Sequence, residues 1–486
     1  MTTTQAAVVQ VAPKGLASDQ IGIVGSTALA VSSTAPVFTL AATLGLIVAA
    51  VGVATPIYLV LSVVPALLIA FGYRALNQAD PDTGTTFTWA SRVIGPRTGW
   101  FGGWAIVVSS VVFCANAADI VGVYAMRLIS GDTNRDSLPC LAIGLGFIVA
   151  MTALAYTGVR FTARTQIVVV GAQLVVLGAL VAIAFARVVG GDATETAEVP
   201  SWTWVNPVGD LDLTSATQAL LLGVFLYWGW DTAMSVNEET HAPSRTPGRS
   251  VLVATATLVG CYALVAVALQ AFAGTAILGG PDAGEDVFAV VAEPLLGEIG
   301  VTVLSIMVIV SAAAALATTI LPSSRTVFAM ATFRAAPRVF SRTNSHGSPS
   351  VSTIGIGAAG CAFYLGMAAV SDNILQDSIL SISLAICVYY AITGFASAVS
   401  FARSARGVIP RLAKVILPGI GALMMVAVLI RSAIDMADPE YGDTSLFGVG
   451  GALIVGAGSL LAGIVVMAIW ERIAPSFFRT GRRGAA

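Results

Sequence analysis

Asp231 closes the run Gly223-Val-Phe-Leu-Tyr-Trp-Gly-Trp-Asp231, inside an apolar stretch from Ala219 to Val236. A stretch of about 17–25 apolar residues is long enough to cross a hydrocarbon core of ~30 Å. A charge at that depth costs roughly 2.5–3.5 kcal/mol on insertion scales, so such an acid faces the bundle interior and marks a functional site. A second stretch breaks in the same manner. Between about Ile21 and Val51, the run Val31-Ser32-Ser33-Thr34-Ala35-Pro36 places a proline and three hydroxyls in mid-span. Proline removes a backbone donor and clashes with the preceding turn, and Ser and Thr can satisfy the freed groups locally. Broken helices at membrane depth offer N–H groups to anions and carbonyls to cations. The chemistry is therefore recognition of a small polar solute. Ser33 and Thr34 would face its carboxylate, and carbonyls near Tyr227–Gly229 its ammonium group. Trp228, Trp230 and Tyr227 would cover it, with a cation–π face worth ~0.5–2 kcal/mol. Asp231 would either pair with a cationic group or orient its helix. The competing structural role is a hydrogen-bonded Asp231 that only ties the helix to its neighbours.

Other polar residues carry weaker signals. Asp119, in Ala115-Asn-Ala-Ala-Asp119, is a second intramembrane acid, nearer one end of its span. It could recognise an amine, accept a proton, or pair with a buried donor. Ser311, Thr318 and Thr319 could supply hydroxyls to a sodium site, although small polar residues in spans more often permit close packing. Glu238 and Glu239 follow the sixth span and are expected to form salt bridges or cap loops. Cys114, Cys140, Cys261, Cys361 and Cys387 are scattered, with no CxxC spacing, and read as small core residues. His241 and His346 lie far apart in loops, so no metal site or cofactor is expected.

The elements that must position these residues are membrane helices. Hydrophobic residues make up 57% of the 486 and charged residues 10%, against ~25% charged in soluble domains; the mean hydropathy is +0.88. Twelve hydrophobic segments can be counted. With loops on alternate sides and both termini cytoplasmic, 20 of the 24 basic residues fall on the cytoplasmic side, leaving Arg127, Arg135, Arg187 and Arg431 outside. Cationic loops resist translocation, so this bias supports the count and the orientation. The two interruptions occupy matching positions in the first and sixth segments, the pointer to an inverted repeat of five plus five spans. The expected organisation is a cytoplasmic tail at residues 1–20 and one membrane domain at 21–472, followed by a second tail at 473–486. The domain divides into repeats at about 21–188 and 215–402 and two appended helices at about 411–472. The outer stretches 189–214 and 273–299 could form partial lids, the latter amphipathic.

Three segments resemble the amino acid–polyamine–organocation permeases. Phe225-Leu-Tyr-Trp-Gly-Trp-Asp231, continuing through Glu238-Glu239-Thr240 to Pro243 and Pro247-Gly-Arg249, is similar to that superfamily's aromatic, glycine and acid run and the basic segment after it. Ser323-Ser-Arg325-Thr-Val-Phe-Ala-Met330, then Ala336-Pro-Arg338-Val-Phe340, resembles a second family stretch. Thr88-Trp-Ala-Ser-Arg92, Gly95-Pro96 and Gly102-Gly103-Trp104 resemble its approach to the third span. The resemblance implies an all-α multi-pass protein of the leucine-transporter type. Twelve helices would form a five-plus-five inverted repeat with discontinuous helices 1 and 6, followed by helices 11 and 12. It also implies secondary active transport by alternating access. The resemblance implies that backbone N–H groups of the first break face the substrate carboxylate, a role that by position falls on Ser32, Ser33 and Thr34; the family's break is usually glycine-rich, whereas Ser32–Thr34 is not. In many relatives a lysine on the fifth helix approaches the first; alignment from Arg164-Thr-Gln166 puts Gln173 there, and a neutral amide cannot carry a proton.

The function expected is movement of an amino acid across the cytoplasmic (inner) membrane, by proton-coupled symport or by exchange, with sodium the less favoured ion. An amine or polyamine is the alternative substrate. An ion channel is the alternative of another class, though no filter-like polar run is present. A membrane enzyme lacks a nucleophile–base pair. Expected partners are a small-molecule substrate and the bilayer, with no nucleic acid; the chain would be a monomer or homodimer.

Overall fold

The computed structural model describes residues 16, 18–131, 134–135, 137–207, 212–371, 373–442 and 444–480. Helices account for nearly every ordered element, as expected where lipid cannot satisfy backbone groups. In chain order they are α1 (Ile23–Thr34), α2 (Pro36–Val51), α3 (Thr55–Ala79), α4 (Thr85–Val93), α5 (Pro96–Ser130), α6 (Leu138–Tyr156) and α7 (Val159–Gly190). There follow α8 (Leu213–Leu226), α9 (Thr232–Ser235), α10 (Thr246–Leu278), α11 (Pro281–Glu285), α12 (Val287–Thr332), α13 (Ser350–Val370) and α14 (Ile374–Phe401). The last are α15 (Val408–Arg411), α16 (Leu417–Asp435), α17 (Gly451–Ile473) and α18 (Pro475–Thr480).

Among the described residues, ten helical segments are long and apolar enough to cross a membrane. One of them, Ile23–Ala79, runs for 57 residues and contains α1, α2 and α3. The expected sixth span is not a single long helix. It is α8, of 14 residues, a turn through Tyr227–Asp231, and the one-turn α9.

Burial separates the centre from the rim. The most apolar window of α5 is 89% buried and that of α14 83%, whereas those of α6 and α17 are only 22% buried. The first two are enclosed on all sides and the last two face lipid along most of their surface. Small residues let the helices approach closely, as where Gly223 of α8 meets Ser62 of α3.

Both ends of the bundle carry closing elements. On the side of the expected outer loops, α11 lies against α2 so tightly that a Cβ at Gly45 would sit 1.8 Å from the Ala283 carbonyl oxygen. Asp286 then caps α12, accepting from the Phe288 and Ala289 N–H groups, and pairs with Arg127 at 3.0 Å. Burial pushes the Asp286 carboxyl up from its ordinary range, although Tyr124 and Arg127 pull it back. α12 bends at Gly297, whose φ of 71° separates the lid portion from the long remainder. At the opposite end the Gln20 and Ile21 N–H groups donate to the Glu239 carbonyl, and the His241 N–H donates to Ile21. Part of the expected carboxy-terminal tail is helical there. α18 buries Phe477 and Phe478 in a cluster with Phe87, Trp100 and Phe333.

Candidate functional site

Sequence breaks the first helix at Ala35. This residue takes a left-handed conformation (φ 51°, ψ 67°), and its N–H donates to the Ser32 carbonyl at 3.0 Å. Pro36 opens α2, where a missing N–H costs nothing. The second break begins where Trp228 N–H turns back to the Phe225 carbonyl at 2.9 Å. Gly229 then adopts φ 114°, a region that disfavours any side chain. It is doubly constrained, because a Cβ there would stand 2.6 Å from the Ser33 carbonyl oxygen. The two breaks therefore touch backbone to backbone, and Ser33 Oγ and Thr232 Oγ1 share a hydrogen bond of 2.8 Å across them.

A cavity opens beside this contact. It is lined by Ser33, Ile106, Ser110, Trp228, Gly229, Asp231, Thr232, Thr319, Pro322 and Tyr389. Its volume, as space open to the centre of a water molecule, is about 10 Å³. That is room for roughly one water molecule. The site is shut down around its own polar groups, and a solute needs side chains to move. Thr319 Oγ1 is buried without a hydrogen-bond partner among the described residues. Asp231 accepts from the Tyr389 hydroxyl at 3.2 Å and the Tyr390 hydroxyl at 3.1 Å, and Trp228 Nε1 donates to Tyr389 at 2.5 Å. Asp231 has no ion pair among the described residues.

Of the nine expected substrate residues, the cavity gathers Ser33, Trp228, Gly229 and Asp231. Ser32 instead donates to Gln166 at 2.5 Å, and Thr34 donates back to Ala30. Tyr227 packs on Tyr262 at 5.1 Å, and Trp230 sits between Tyr73 and Tyr390. These four side chains are engaged by those neighbours and do not line the cavity. Asp119 lies nine residues beyond Ser110 on α5, about 13 Å along the helix, and pairs with Arg135 at 2.9 Å. Its charge is met by the loop before α6, outside the site.

The expected ion-site residues do not form one cluster. Ser311 donates to Gln173 at 2.6 Å and accepts from the Phe38 N–H at 3.2 Å, satisfying the first turn of α2. Gln173 keeps an unpartnered Nε2. Thr318 bonds within its own helix, to Ala314 and Ala315. Only Thr319 reaches the cavity. Gln166, expected at the start of the fifth helix, lies inside α7 and bridges Ser32 to the Ala314 carbonyl at 3.1 Å.

Sequence reasoning also missed Ile106, Ser110, Thr232, Pro322 and Tyr389. The available signals were hydroxyl pairs inside apolar spans, Ser109-Ser110 and Tyr389-Tyr390. Periodicity alone does not say which member faces the break.

Below the cavity the helix-6 segment ends in the two acids expected at salt bridges or loops. Glu238 accepts from the Thr83 N–H at 2.9 Å. Glu239 meets Arg325 in a two-point pair, Nε to Oε1 at 2.8 Å and the second nitrogen to Oε2 at 2.9 Å. Both side chains are 1% exposed. Asn237 donates to Asn77 at 2.6 Å, and Asn77 to the Pro243 carbonyl at 2.8 Å. That end of the molecule is sealed.

Paired helix breaks around a buried polar cavity, in a chain of apolar spans, define a multi-pass helical membrane transporter. Residues 21–470 match the family model for amino acid permeases, and the chain belongs to that family. An uncharacterized transporter of Mycobacterium tuberculosis is 28% identical over 342 residues, 69% of this chain and 70% of that protein. The mouse (Mus musculus) Asc-type amino acid transporter 1 is 21% identical over 199 residues, 40% of this chain and 37% of its own. The low-affinity putrescine importer PlaP of Escherichia coli K12 is 21% identical over 194 residues, 40% of each chain.

Proposed function

We propose that this permease moves an amino acid across the cytoplasmic membrane by alternating access, as a proton-coupled symporter or an exchanger. Dividing Ile23–Ala79 at the turn Gly52–Ala54 and adding the broken α8–α9 segment to the other nine spans supports twelve spans in a five-plus-five inverted repeat. Basic loops on one side support cytoplasmic termini. The observation that carries the reading is the contact of the breaks at Gly229 and Ser33. It sets a hydroxyl pair, peptide groups from both helices and Asp231 around one small cavity. In this scheme the substrate carboxylate is held at Ser33 and the start of α2, and the ammonium group at the carbonyls of the Tyr227–Gly229 turn. Asp231 holds the helix-6 turn through Tyr389 and Tyr390 until substrate enters, then exchanges one of those hydroxyls for the ammonium group. Trp228, whose ring contacts Phe113 at 5.5 Å, closes over the solute.

A second reading, an amine or polyamine substrate, is favoured by Asp231 accepting from two tyrosine hydroxyls with no ion-pair partner among the described residues. The putrescine importer among the relatives points the same way. Uptake into proteoliposomes against a panel of amino acids and diamines, with proton and sodium gradients imposed separately, decides between them. Saturable uptake of an amino acid, lost in Asp231→Asn, is the expected result. Saturable uptake of diamines alone establishes the second reading. An Asp231→Asn protein with wild-type uptake at every pH removes Asp231 from the mechanism in either.

A further inference from the structure

Far from the helix breaks, the lipid-facing side of the bundle is not filled. Between α5, α12, α13 and α17 runs an apolar hollow with room for water centres over about 400 Å³, within the ~300–1,000 Å³ of small-ligand sites. It is walled by Trp104, Val107, Val327, Phe340, Ala359 and Phe363, among others. A second hollow of about 170 Å³ shares the first four of these and extends to Trp100 and Trp470. From Trp100 to Val112 the two cover thirteen residues of α5, about 18 Å of helix, a little more than one leaflet of a ~30 Å hydrocarbon core. Two of the polar side chains on its wall are already used. Trp104 Nε1 donates to the Ser459 carbonyl at 2.9 Å, and Ser352 Oγ to the Phe340 carbonyl at 2.7 Å. The groove is lined almost wholly by apolar side chains.

Its mouth is different. Trp100 Nε1 donates to the Ala335 carbonyl at 2.9 Å and Trp470 Nε1 to the Arg334 carbonyl at 3.2 Å, which sets indoles at the headgroup level they favour. The short segment Arg334–Arg338 forms the rim, its Ala335, Ala336 and Pro337 lining the second hollow. Arg97 is consumed by Glu471, but Arg334 and Arg338 are exposed and have no ion-pair partner among the described residues. Fixed positive charge therefore stands where an apolar channel meets water. We propose that this groove holds one acyl chain of an anionic phospholipid, with its phosphate bound by Arg334 and Arg338. A zwitterionic lipid would satisfy the groove, but its choline cation would oppose the positive rim, and a soluble phosphate would satisfy the rim but not the groove.

The test extracts the full chain from vesicles of equal parts phosphatidylglycerol and phosphatidylcholine with identical chains, and counts retained lipid by native mass spectrometry. The expected result is selective retention of phosphatidylglycerol. The surface variants Arg334→Gln and Arg338→Gln each weaken that preference by about fivefold, the effect of one basic residue near an anionic headgroup. Ala359→Trp, which fills the groove, abolishes retention of both lipids, and glycerol phosphate displaces nothing. Equal retention of the two lipids, an unchanged preference in Arg334→Gln/Arg338→Gln, or displacement by glycerol phosphate each overturns the proposal. So does a wild-type dimer that Ala359→Trp dissociates, because a second copy of the chain would then occupy the groove. If Ala359→Trp does not fold, the two arginine variants alone decide.

Discussion

Glu239→Gln is the most informative single change in this molecule, because it preserves shape and removes a charge from a sealed interface. Arg325 would stay charged while 1% exposed. Breaking one side of a buried pair costs about 3–5 kcal/mol when the remaining charge cannot reach water. Here it can, by opening that end of the bundle. The same energy then appears as a shift of the closed–open equilibrium by roughly two to three and a half orders of magnitude. Closure also holds the Ile21 and His241 amides, through bonds to the Glu239 and Ile21 carbonyls. Hydrogen exchange of those amides, read by mass spectrometry, reports opening without knowledge of the substrate. Glu239→Gln and Arg325→Met should each raise exchange there and leave the α11 lid unchanged. Glu239→Leu/Arg325→Met should regain most of the protection, since apolar replacement of both partners of a buried pair is often neutral or stabilising. Exchange in Glu239→Gln equal to wild type would refute the gate. A double variant as open as the single ones would show that shape, not charge, holds it.

Gly229→Ala forces a side chain into φ 114° against the Ser33 carbonyl. Strain of about 1–3 kcal/mol from the backbone and as much again from overpacking should separate the breaks. Uptake by proteoliposomes should fall at least tenfold while gel filtration still shows a folded protein; wild-type uptake would dissociate this contact from transport. At the lid, a carboxyl raised by burial favours docking most below its free value of about 4, and that advantage fades as pH rises through the raised value. Exchange of the Val287–Leu295 amides, corrected for intrinsic rate, should therefore quicken as pH rises above about 4, and Asp286→Asn should flatten the trend. A wild-type profile without slope would rule out Asp286 as its source.

How far the sequence reached depended on whether the informative property was local. Apolar length and the basic-loop bias are local sums, and they identified a multi-pass helical protein without any contact being known. The breaks were also legible, because proline after Ala35 and glycine at 229 act on their own backbone. Direction around the helix was not. In Tyr227-Trp-Gly-Trp-Asp231 every residue looks equally available for binding. The fold sends Trp228 into the cavity and Trp230 into the Tyr73–Tyr390 stack, a choice made by neighbours more than 150 residues away. The same limit applies to charge. Asp119 and Asp231 are alike as isolated acids in apolar spans, and their difference lies in Arg135, contributed by a loop to one and not the other.

That difference sharpens the functional argument. An acid already matched by a guanidinium gains little from a cationic ligand, because the ligand must replace a partner of equal charge. Asp231, held by two tyrosine hydroxyls, keeps acceptor sites to spare and has no ion-pair partner among the described residues. An ammonium group can displace one of those hydroxyls because it brings the opposite charge that a hydroxyl lacks. The tyrosines would thus keep the empty site closed and intact without competing in charge with what it binds. Replacing Tyr389 and Tyr390 by phenylalanine separates these functions. If they serve as placeholders, the double variant should bind substrate no worse, or more tightly, yet lose the closed empty cavity. If they contact substrate directly, its affinity should fall with each hydroxyl removed. Equilibrium binding measured beside hydrogen exchange of Trp228–Asp231 distinguishes the two outcomes.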